Sequence, residues 1–330
     1  MYTSNHIAIV ILNYNGLALL KQFLPSVVAY SDKAKIYVVD NCSTDESVAW
    51  VSSSFSDVVI IKHHDNFGYA KGYNEALHLI AEPLVCLLNS DVEVTKNWLT
   101  PILKLYNTSS EVAIIQPKIK DFKNKSYFEY AGAAGGFIDS LGYPYCRGRW
   151  FTNIEEDKGQ YNDTSQIFWA SGACFFIKQS VFEKLNGFDE DFFAHFEEID
   201  LCWRAYNHDF KTVYTSLSEI YHVGGATLAS YHPKKTFLNF RNSLFTLLKN
   251  EASYVWAKLF MRMILDGIAG LVFLAQLKPQ HFVAILKAHG SFYLQLNTCL
   301  KKRQQLPQQP LKRKITSIVW SYYILSRKKV

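Results

Sequence analysis

Residues 192–205 place three carboxylates, those of Glu197, Glu198 and Asp200, among bulky apolar side chains. At 3.6 residues per turn, Asp200 and Arg204 are neighbours on one helix face, so they are expected to form an ion pair. Acids in a first turn also favour the positive helix end, which leaves a structural role open. Two consecutive glutamates in an apolar setting are different, because burial and like charge would raise one pKa towards that of a general base.

A second group of residues has the types needed to hold a divalent cation. Asn89 and Asp91 follow an apolar run that ends at Leu88, so their side chains should emerge from a rigid strand. A carboxylate there can hold a hard cation, which in turn binds a diphosphate. His222, in a glycine-bounded turn, would supply a nitrogen ligand. Each of these signals is weak on its own, since a lone histidine is usually structural.

Alternating apolar runs and helical patterns predict the scaffold of the first 110 residues. Continuous apolar runs are typical of buried strands, and apolar residues at helical spacing follow them. The predicted strands are residues 7–12, 36–39, 58–61 and 84–88, with helices from Leu17 and over residues 69–80. This alternation with short loops predicts an α/β fold in which helices cover both faces of a parallel sheet.

Four polar loops follow the predicted strands, at residues 13–16, 40–45, 66–72 and 89–93. Asn, Asp, Ser and Gly serve turns as readily as ligands, so each loop alone is explained as a turn. In parallel sheets, however, such loops share the edge where ligands bind. Four of them at one edge favour a polar cleft.

The later chain is less regular until it becomes helical at Pro233. We expect residues 111–165 to form loops or irregular strands that carry substrate contacts, and residues 212–214 to form a short strand. Residues 254–277 are apolar, but charged residues interrupt them and only 11 residues separate Asp266 from Lys278. A spanning helix needs about 20 apolar residues, so an interfacial or core helix is expected instead.

Charge is distributed unevenly along the 330 residues, of which 49% are hydrophobic. Residues 1–266 hold 24 of the 35 Lys and Arg residues and all 29 acids, so the net charge of +6 comes from the tail. Residues 315–326 are aromatic and have basic flanks, which fits a helix on an anionic membrane surface. A docked C-terminal helix with solvated lysines fits the same pattern.

Six scattered cysteines form no C-x-x-C pair, and the first residues lack a basic region before an apolar signal core. The cysteines are therefore expected to be reduced thiols of a cytosolic protein that is not exported.

Seven segments, in order, resemble the family 2 glycosyltransferases of the GT-A fold, in particular their bacterial rhamnosyltransferase-like branch. They are residues 9–16, 38–45, 65–74, 87–91, 170–174 with 187–189, 196–204 and 222–225. The resemblance implies a GT-A domain over residues 1–232, with a mostly parallel central sheet flanked by helices. A helical, basic C-terminal region over residues 233–330 would follow it.

The resemblance also implies inverting sugar transfer from a nucleotide-diphosphate sugar, dTDP-rhamnose-like or a UDP-sugar, to a hydroxyl of a saccharide or lipid-linked acceptor. Such transfer would serve cell-surface polysaccharide synthesis and use a divalent cation, Mn²⁺ or Mg²⁺. Glu198, preceded by Glu197, falls on the catalytic base, and Asp91 and His222 fall on the metal ligands. The residues that would shape or line the donor site are Asn13, Asn15, Asp40, Asn66, Gly68, Lys71 and Asn89.

Two positions depart from the family pattern. Asn89 replaces the first acid of the D-x-D metal motif, which leaves Asp91 with more of the cation's charge to balance, and Glu93 is placed to assist. Glu198 stands where the base is more often Asp. Because Glu is one methylene longer, Glu197 and Glu198 are both retained as candidates for the base.

Two other functions fit parts of the sequence. A nucleotidyltransferase also binds a metal in a parallel-sheet cleft, but it would not need the glutamate pair and usually begins with a Gly-rich phosphate loop. A nucleic-acid binder would use the basic tail, yet the bases cluster at the very end of an otherwise acidic chain. We therefore expect no nucleic-acid partner and a peripheral position on the cytoplasmic face of the cell membrane.

Overall fold

The computed structural model describes residues 1–224 and 232–327, so Gly225 of the His222 motif and Lys328 and Lys329 of the basic tail lie outside the described residues. Its strands are β1 (Ile7–Asn13), β2 (Lys35–Asp40), β3 (Val59–Lys62), β4 (Leu84–Asn89), β5 (Val92–Val94), β6 (Val112–Asp121), β7 (Gly136–Ile138), β8 (Pro144–Cys146), β9 (Arg149–Trp150), β10 (Asn153–Ile154), β11 (Thr164–Ile167), β12 (Cys174–Lys178) and β13 (Lys211–His222).

The helices of the described residues are α1 (Leu17–Tyr30), α2 (Ser47–Ser54), α3 (Gly68–Leu77), α4 (Leu99–Thr108), α5 (Gln179–Lys184), α6 (Glu197–Asn207), α7 (Pro233–Asn250), α8 (Val255–Ala275), α9 (Pro279–Leu294), α10 (Leu296–Gln305) and α11 (Ile318–Tyr323). They cover both faces of one large sheet.

That sheet has nine strands within the described residues, in the order β11-β13-β6-β12-β4-β1-β2-β3, with β5 added against β13. Strands β4, β1, β2 and β3 are parallel, as the sequence predicts. Asn13 pairs with Asp40, and Leu12 pairs with Asn89, so three of the polar loops leave the sheet at the same edge. Strand β12 runs antiparallel between β4 and β6.

Strand β1 shows how the sheet divides two cores. Its side chains alternate between faces because the period of a strand is two residues. Ile7, Ile9 and Ile11 enter the core that includes α1, α2 and α4. Ala8 and Val10 enter the core that includes α3, α6 and α7. Both faces of the strand are buried, which explains its uninterrupted apolar sequence.

The expectation for residues 111–165 was only partly right. Residues 112–121 form β6, a long strand inside the large sheet, while β7 to β10 form a separate four-stranded antiparallel sheet. Gln116 and Lys118 hid this strand in the sequence because they are polar yet buried. Lys118 is accommodated by an ion pair with Asp157 at 2.8 Å.

The predicted short strand at residues 212–214 is also longer than expected. Strand β13 continues to His222, which therefore ends a strand instead of lying in a turn. Irregularities between Lys211 and Thr212 and between Thr215 and Glu219 bend this strand as it follows β6. Bulges of this kind redirect the residues that follow them, so the bend helps to place His222.

Helix α7, which begins at Pro233, packs against α6, which carries the glutamate pair. Asp200 is fully buried and forms the predicted ion pair with Arg204 at 2.8 Å. Its carboxylate also meets Lys249 at 2.9 Å and accepts a hydrogen bond from Asn250 at 2.8 Å, both on α7. Asp200 therefore has a structural role. None of the helices in the described ranges is long and apolar enough to cross a bilayer.

Candidate active site

Asn13 and Asp40 end two neighbouring strands, and their side chains meet at the sheet edge. The Asn13 amide donates to the Asp40 carboxylate at 3.4 Å and to the hydroxyls of Ser43 at 3.2 Å and Ser47 at 3.0 Å. Asn13 is buried, and a side chain at Gly16 would collide with its Oδ1 atom. These hydrogen bonds hold the end of β1 against the loop that follows β2 and the start of α2.

Asn15 connects the loop after β1 to the loop after β2. Its φ of +50° lies in the left-handed region, which Asn tolerates better than most residues. The backbone amide of Asn15 donates to Ser43 Oγ at 2.9 Å, and the side-chain oxygen of Asn15 accepts from the backbone amide of Thr44 at 2.7 Å. The two loops therefore form one continuous polar rim.

Asn66 and Gly68 continue this rim at the start of α3. Asn66 Oδ1 accepts from the Asn41 side-chain amide at 2.9 Å and from the Gly68 backbone amide at 3.0 Å. Gly68 has a φ of +71°, and a Cβ atom there would lie 2.7 Å from the Phe193 carbonyl oxygen. Only glycine satisfies both constraints without strain. The loop thus packs directly against the segment that precedes α6.

Lys71 and Asn89 are the last two of the seven residues that are expected to shape or line the site of the sugar donor. Lys71 lies on α3 with its ammonium 4.5 Å from the centroid of the Phe67 ring. Asn89 ends β4, and its backbone amide donates to the Ala173 carbonyl at 3.0 Å. Five of the seven residues expected to line the donor site lie in loops or at strand ends at the carboxyl edge of the parallel strands, and the other two, Gly68 and Lys71, lie in the first four residues of α3.

Asp91 and His222 are distant in sequence and meet in the structure. Asp91 lies in the turn between β4 and β5, and β5 pairs with β13 so that Val92 is opposite His222. His222 Nε2 is 3.1 Å from Asp91 Oδ1, and both side chains are buried. The Val223 amide donates to the Asp91 carbonyl at 3.2 Å, which holds the two backbones together.

This pair suits a divalent cation as two of its ligands. A carboxylate oxygen and an imidazole nitrogen are ligands that Mn²⁺ and Mg²⁺ sites accept, with phosphate oxygens and water filling the remaining positions. Within residues 1–224 and 232–327 no cluster of three or more such side chains converges on one point. Glu93 pairs with Lys125 instead. A bound ion would therefore complete its coordination with water or, when the donor is present, with diphosphate oxygens.

His222 also lies beside a second buried carboxylate, that of Glu129. Glu129 Oε1 is 3.3 Å from the other ring nitrogen, Nδ1, although out of line for a hydrogen bond. Burial alone would lower the pKa of His222, but Glu129 and Asp91 outweigh it and raise that pKa to about 10. The imidazole is thus flanked by two carboxylates. The same negative charge would stabilise a metal cation bound at this position.

Glu197 and Glu198 begin α6 after an unusual backbone turn. His195 and Phe196, with φ of 71° and 74°, are both left-handed, although neither is glycine. Each such residue costs about 1–3 kcal/mol and persists only where its surroundings impose it. The turn presents Glu198 to Gly172, where an added Cβ would lie 3.7 Å from the Glu198 Cδ atom.

The two glutamates have the electrostatics expected of an acid–base pair. Burial raises the pKa of Glu198 to about 7, and backbone hydrogen bonds only partly oppose it. Burial and then the charge of Glu198 raise the pKa of Glu197 well above its ordinary value. In the described part of the chain, Oε2 of each glutamate is buried without a hydrogen-bond partner. Glu198 can therefore accept a proton near neutral pH.

Tyr69 joins the donor rim to the glutamate pair. Its hydroxyl donates to the Gly172 carbonyl at 2.9 Å, and its backbone amide donates to the Phe193 carbonyl at 3.0 Å. Burial raises the pKa of Tyr69, and the charges of Glu197 and Glu198 raise it further, which places its ring near both carboxylates.

A chain of direct contacts also joins the glutamates to the metal-ligand pair. Glu129 accepts from the Ala131 amide, the Ala131 carbonyl accepts from Ser171, and Ser171 precedes the glycine that packs on Glu198. Since Glu129 lies 3.3 Å from His222, direct contacts join the candidate metal ligands and the candidate base into one contiguous site.

Several residues of this site were not predicted from the sequence, namely Asn41, Tyr69, Glu129, Ser171 and Gly172. Asn41, Tyr69, Ser171 and Gly172 belong to or adjoin segments that the resemblance matched, so their position gave a usable signal. Glu129 lies in the irregular middle region, where nothing in the sequence indicated a role.

Comparison with known proteins identifies similar sequences. The family model for glycosyl transferase family 2 matches residues 8–186, a range that ends before Glu197, Glu198 and His222. The low-salt glycan biosynthesis hexosyltransferase Agl10 of Haloferax volcanii is 25% identical over 241 residues, covering 72% of this chain and 73% of that protein. An N-acetylglucosaminyl-diphospho-decaprenol L-rhamnosyltransferase of Mycobacterium tuberculosis is 23% identical over 230 residues, covering 65% of this chain and 75% of that protein.

A solved structure shares the fold. The mannosyltransferase PcManGT from Pyrobaculum calidifontis, in complex with GDP-Man and Mn²⁺, is similar with a TM-score of 0.55 at 13% identity. The similarity covers 87% of each chain.

Proposed function

The chain belongs to glycosyl transferase family 2 and has the GT-A fold, and on that premise we propose that it is a metal-dependent, inverting glycosyltransferase. Its donor is a nucleotide-diphosphate sugar, and its acceptor is a hydroxyl of a saccharide or lipid-linked saccharide in cell-surface polysaccharide synthesis. The observation that carries this proposal is the run of direct contacts, through Glu129, Ala131, Ser171 and Gly172, that joins the Asp91–His222 pair to the Glu197–Glu198 pair.

The donor would lie along the carboxyl edge of the parallel strands. Asn13, Asn15 and Asp40 shape the nucleotide end of the cleft, and Asn66, Gly68, Lys71 and Asn89 line the ribose and diphosphate. Asp91 and His222 would hold Mn²⁺ or Mg²⁺, which neutralises charge on the diphosphate as it leaves. PcManGT, which was solved with GDP-Man and Mn²⁺, supports the choice of a nucleotide sugar and a divalent cation.

Glu198 is the proposed general base. Its carboxylate takes the proton of the acceptor hydroxyl while that oxygen forms a bond to the anomeric carbon. The bond from the anomeric carbon to the diphosphate breaks on the opposite face, which inverts the configuration. No nucleophile from the protein is needed. Glu197 keeps its own proton, because burial and its neighbour disfavour a second charge.

A deoxyhexosyl donor, dTDP-rhamnose-like, is favoured over other hexosyl donors, since relatives named as rhamnosyltransferases match this chain. The donor can be identified by a thermal-shift and hydrolysis screen of dTDP-, UDP- and GDP-sugars with Mn²⁺ or Mg²⁺. We expect one nucleotide sugar to raise the melting temperature only with a cation present. If none of these sugars binds, the proposed donor class is wrong.

The acceptor is proposed to be presented at the cytoplasmic face of the cell membrane, with residues 233–330 as the docking region. Helix α8 exposes an apolar face that no described residue covers, formed by Trp256, Phe260, Ile264, Ile268 and Leu271. The only acid after Glu251 is Asp266, which is buried and lies 3.1 Å from His289. An apolar face among bases without exposed acids suits an anionic lipid surface.

The same charge distribution also fits the proposal that the chain has no nucleic-acid partner. Residues 267–330 hold 11 Lys and Arg residues and no acids, whereas Lys71 is the one base among the seven residues proposed to shape or line the donor cleft. Filter binding to DNA and RNA should detect no retention at physiological salt.

A further inference from the structure

We propose that Glu129 is a positioning residue that orients the His222 imidazole towards the metal ion. This inference rests on the proposed metal site at Asp91 and His222, and it adds a residue that no sequence motif indicated. Glu129 Oε1 lies 3.3 Å from His222 Nδ1, on the side of the ring opposite the Nε2 atom that faces Asp91.

The geometry separates a positioning role from direct ligation. A histidine that coordinates an ion through Nε2 leaves Nδ1–H free to donate to a carboxylate, which fixes both the tautomer and the ring orientation. Glu129 lies on that side of the ring: Oε1 is out of line for a hydrogen bond, but its charge faces Nδ1 and favours the tautomer with the proton there, which leaves Nε2 free for the ion. Because the ring stands between Glu129 and Asp91, the two carboxylates do not converge on one ion, in keeping with the absence of any three-ligand cluster in the described ranges.

Glu129 is itself held in place. It is only 4% exposed, and its other oxygen accepts a hydrogen bond from the Ala131 amide. Its backbone amide donates to the Ile119 carbonyl at 3.1 Å, which anchors it to β6. Gly224, two residues after His222, has a φ of +70°, and a Cβ atom there would lie 2.9 Å from Glu129 Oε1. The turn after β13 therefore leaves room for this carboxylate.

Burial strengthens the case for a function. A buried carboxylate is costly unless it is paired. Burial acts to lower the pKa of Lys235 on α7 and that of Arg149 on β9, and the charge of Glu129 opposes this effect in both. The imidazole of His222 is the partner in direct contact.

The test measures binding of Mn²⁺ alone, with no other ligand added, to the purified full-length protein. The EPR signal of free Mn²⁺ monitors the binding. Glu129→Ala should weaken Mn²⁺ affinity by about 10–100-fold, the usual effect of losing such a partner. Glu129→Gln keeps an oxygen acceptor and should recover part of the loss. Asp91→Ala should abolish the binding, since it removes a ligand.

Two matched variants separate this role from a general loosening of the structure. Ser171→Ala removes one side-chain hydrogen bond to the 129–131 loop, the bond to the Ala131 carbonyl, and Ser171 forms no hydrogen bond with His222 in the described structure. Glu219→Gln removes a carboxylate on β13 that pairs with Lys120 instead. Both should keep wild-type Mn²⁺ affinity, and melting temperatures would report any loss of folding.

The outcomes are distinct. Wild-type Mn²⁺ affinity in folded Glu129→Ala, with binding lost in Asp91→Ala, would overturn the role of Glu129 and leave the metal site standing. If Ser171→Ala weakens binding as much as Glu129→Ala does, the loop and not the carboxylate is responsible, and the inference also fails. Absence of Asp91-dependent Mn²⁺ binding in the wild-type protein would overturn both the metal site and this inference.

Discussion

The two glutamates at the start of α6 differ in their surroundings, and that difference assigns their roles. Glu198 packs against Gly172 and has a pKa of about 7, whereas Glu197 is held well above its ordinary pKa by burial and by Glu198. Glu198 therefore loses its proton as the pH rises through about 7, while Glu197 keeps its own. One carboxylate is free to accept a proton while the other remains neutral.

This assignment predicts unequal effects of two isosteric substitutions. Glu198→Gln should lower kcat by about 10²–10⁴-fold, the contribution of a positioned general base, with donor binding unchanged. Glu197→Gln mimics the protonated side chain and should retain most of the activity. Steady-state kinetics with calorimetric donor titrations measure both. If Glu197→Gln is inactive and Glu198→Gln is active, the two residues exchange roles.

The raised pKa also predicts a pH profile. Because the base must be ionised and burial favours its protonated form, kcat/KM should fall about tenfold per pH unit below an apparent pKa near 7. Burial lowers the pKa of the neighbouring His195 to about 4, so this imidazole should not contribute to that limb. A profile with its acidic limb near the ordinary glutamate value would show that burial does not tune the base.

At the scale of elements, α7 holds the strained turn that starts α6. Asn242, fully buried on α7, donates from its side-chain amide to the carbonyls of Ala194 at 3.0 Å and His195 at 2.7 Å. The left-handed residues His195 and Phe196 follow directly. A helix that the sequence assigns to the C-terminal region thus supports the catalytic turn. We propose that residues 1–232 and 233–330 are separate in function but fold as one unit.

Asn242→Ala should therefore affect both stability and catalysis. Losing one donor leaves two buried carbonyls unpaired, which should lower the free energy of unfolding by about 1–3 kcal/mol and reduce kcat, because the turn relaxes. Asn297→Ala, an exposed asparagine on α10, is the matched control and should change neither. Chemical denaturation and kinetics measure the two effects. Unchanged kcat in a destabilised Asn242→Ala protein would mean that α7 does not position the base.

At the scale of the whole molecule, the described structure has an acidic cleft side and a basic, apolar C-terminal side. The side chains on the outer face of α8 would be buried if that face lay in the interfacial region of a bilayer. A second copy of the chain is the other occupant to be tested for.

Charged substitutions on α8 should release the protein from membranes. Phe260 and Ile264 are 66% and 43% exposed, so the double change of Phe260→Glu and Ile264→Glu should leave the fold intact. Each apolar group withdrawn from the interface forfeits up to about 1.5–3 kcal/mol, so sedimentation with anionic liposomes at low salt should fall at least about tenfold. Leu79→Glu, on an exposed loop far from α8 in sequence, is the control. Wild-type protein that fails to sediment, or a dimer lost in the double variant, would rule out the membrane proposal.

Local patterns were enough to predict much of the scaffold and part of the site. The strands from β1 to β4, the shared loop edge and the Asp200–Arg204 pair follow from periodicity and spacing, which depend on residues close in the chain. The donor-loop residues share that edge because parallel strands end together. Strand β6 was missed because Gln116 and Lys118 are polar, and their partners come from other segments.

Tertiary structure alone decided which distant residues meet. Glu129 reaches His222, Asn242 reaches His195, and Tyr69 reaches Gly172, contacts that join segments far apart in the chain. None of them is implied by the residues next to it, since each depends on how the sheet bends and how α7 packs. The same is true of the glutamate pKa values. The amino-acid types supply the carboxyl groups, but only burial in the folded site raises the pKa of one of them enough to make it a base near neutral pH.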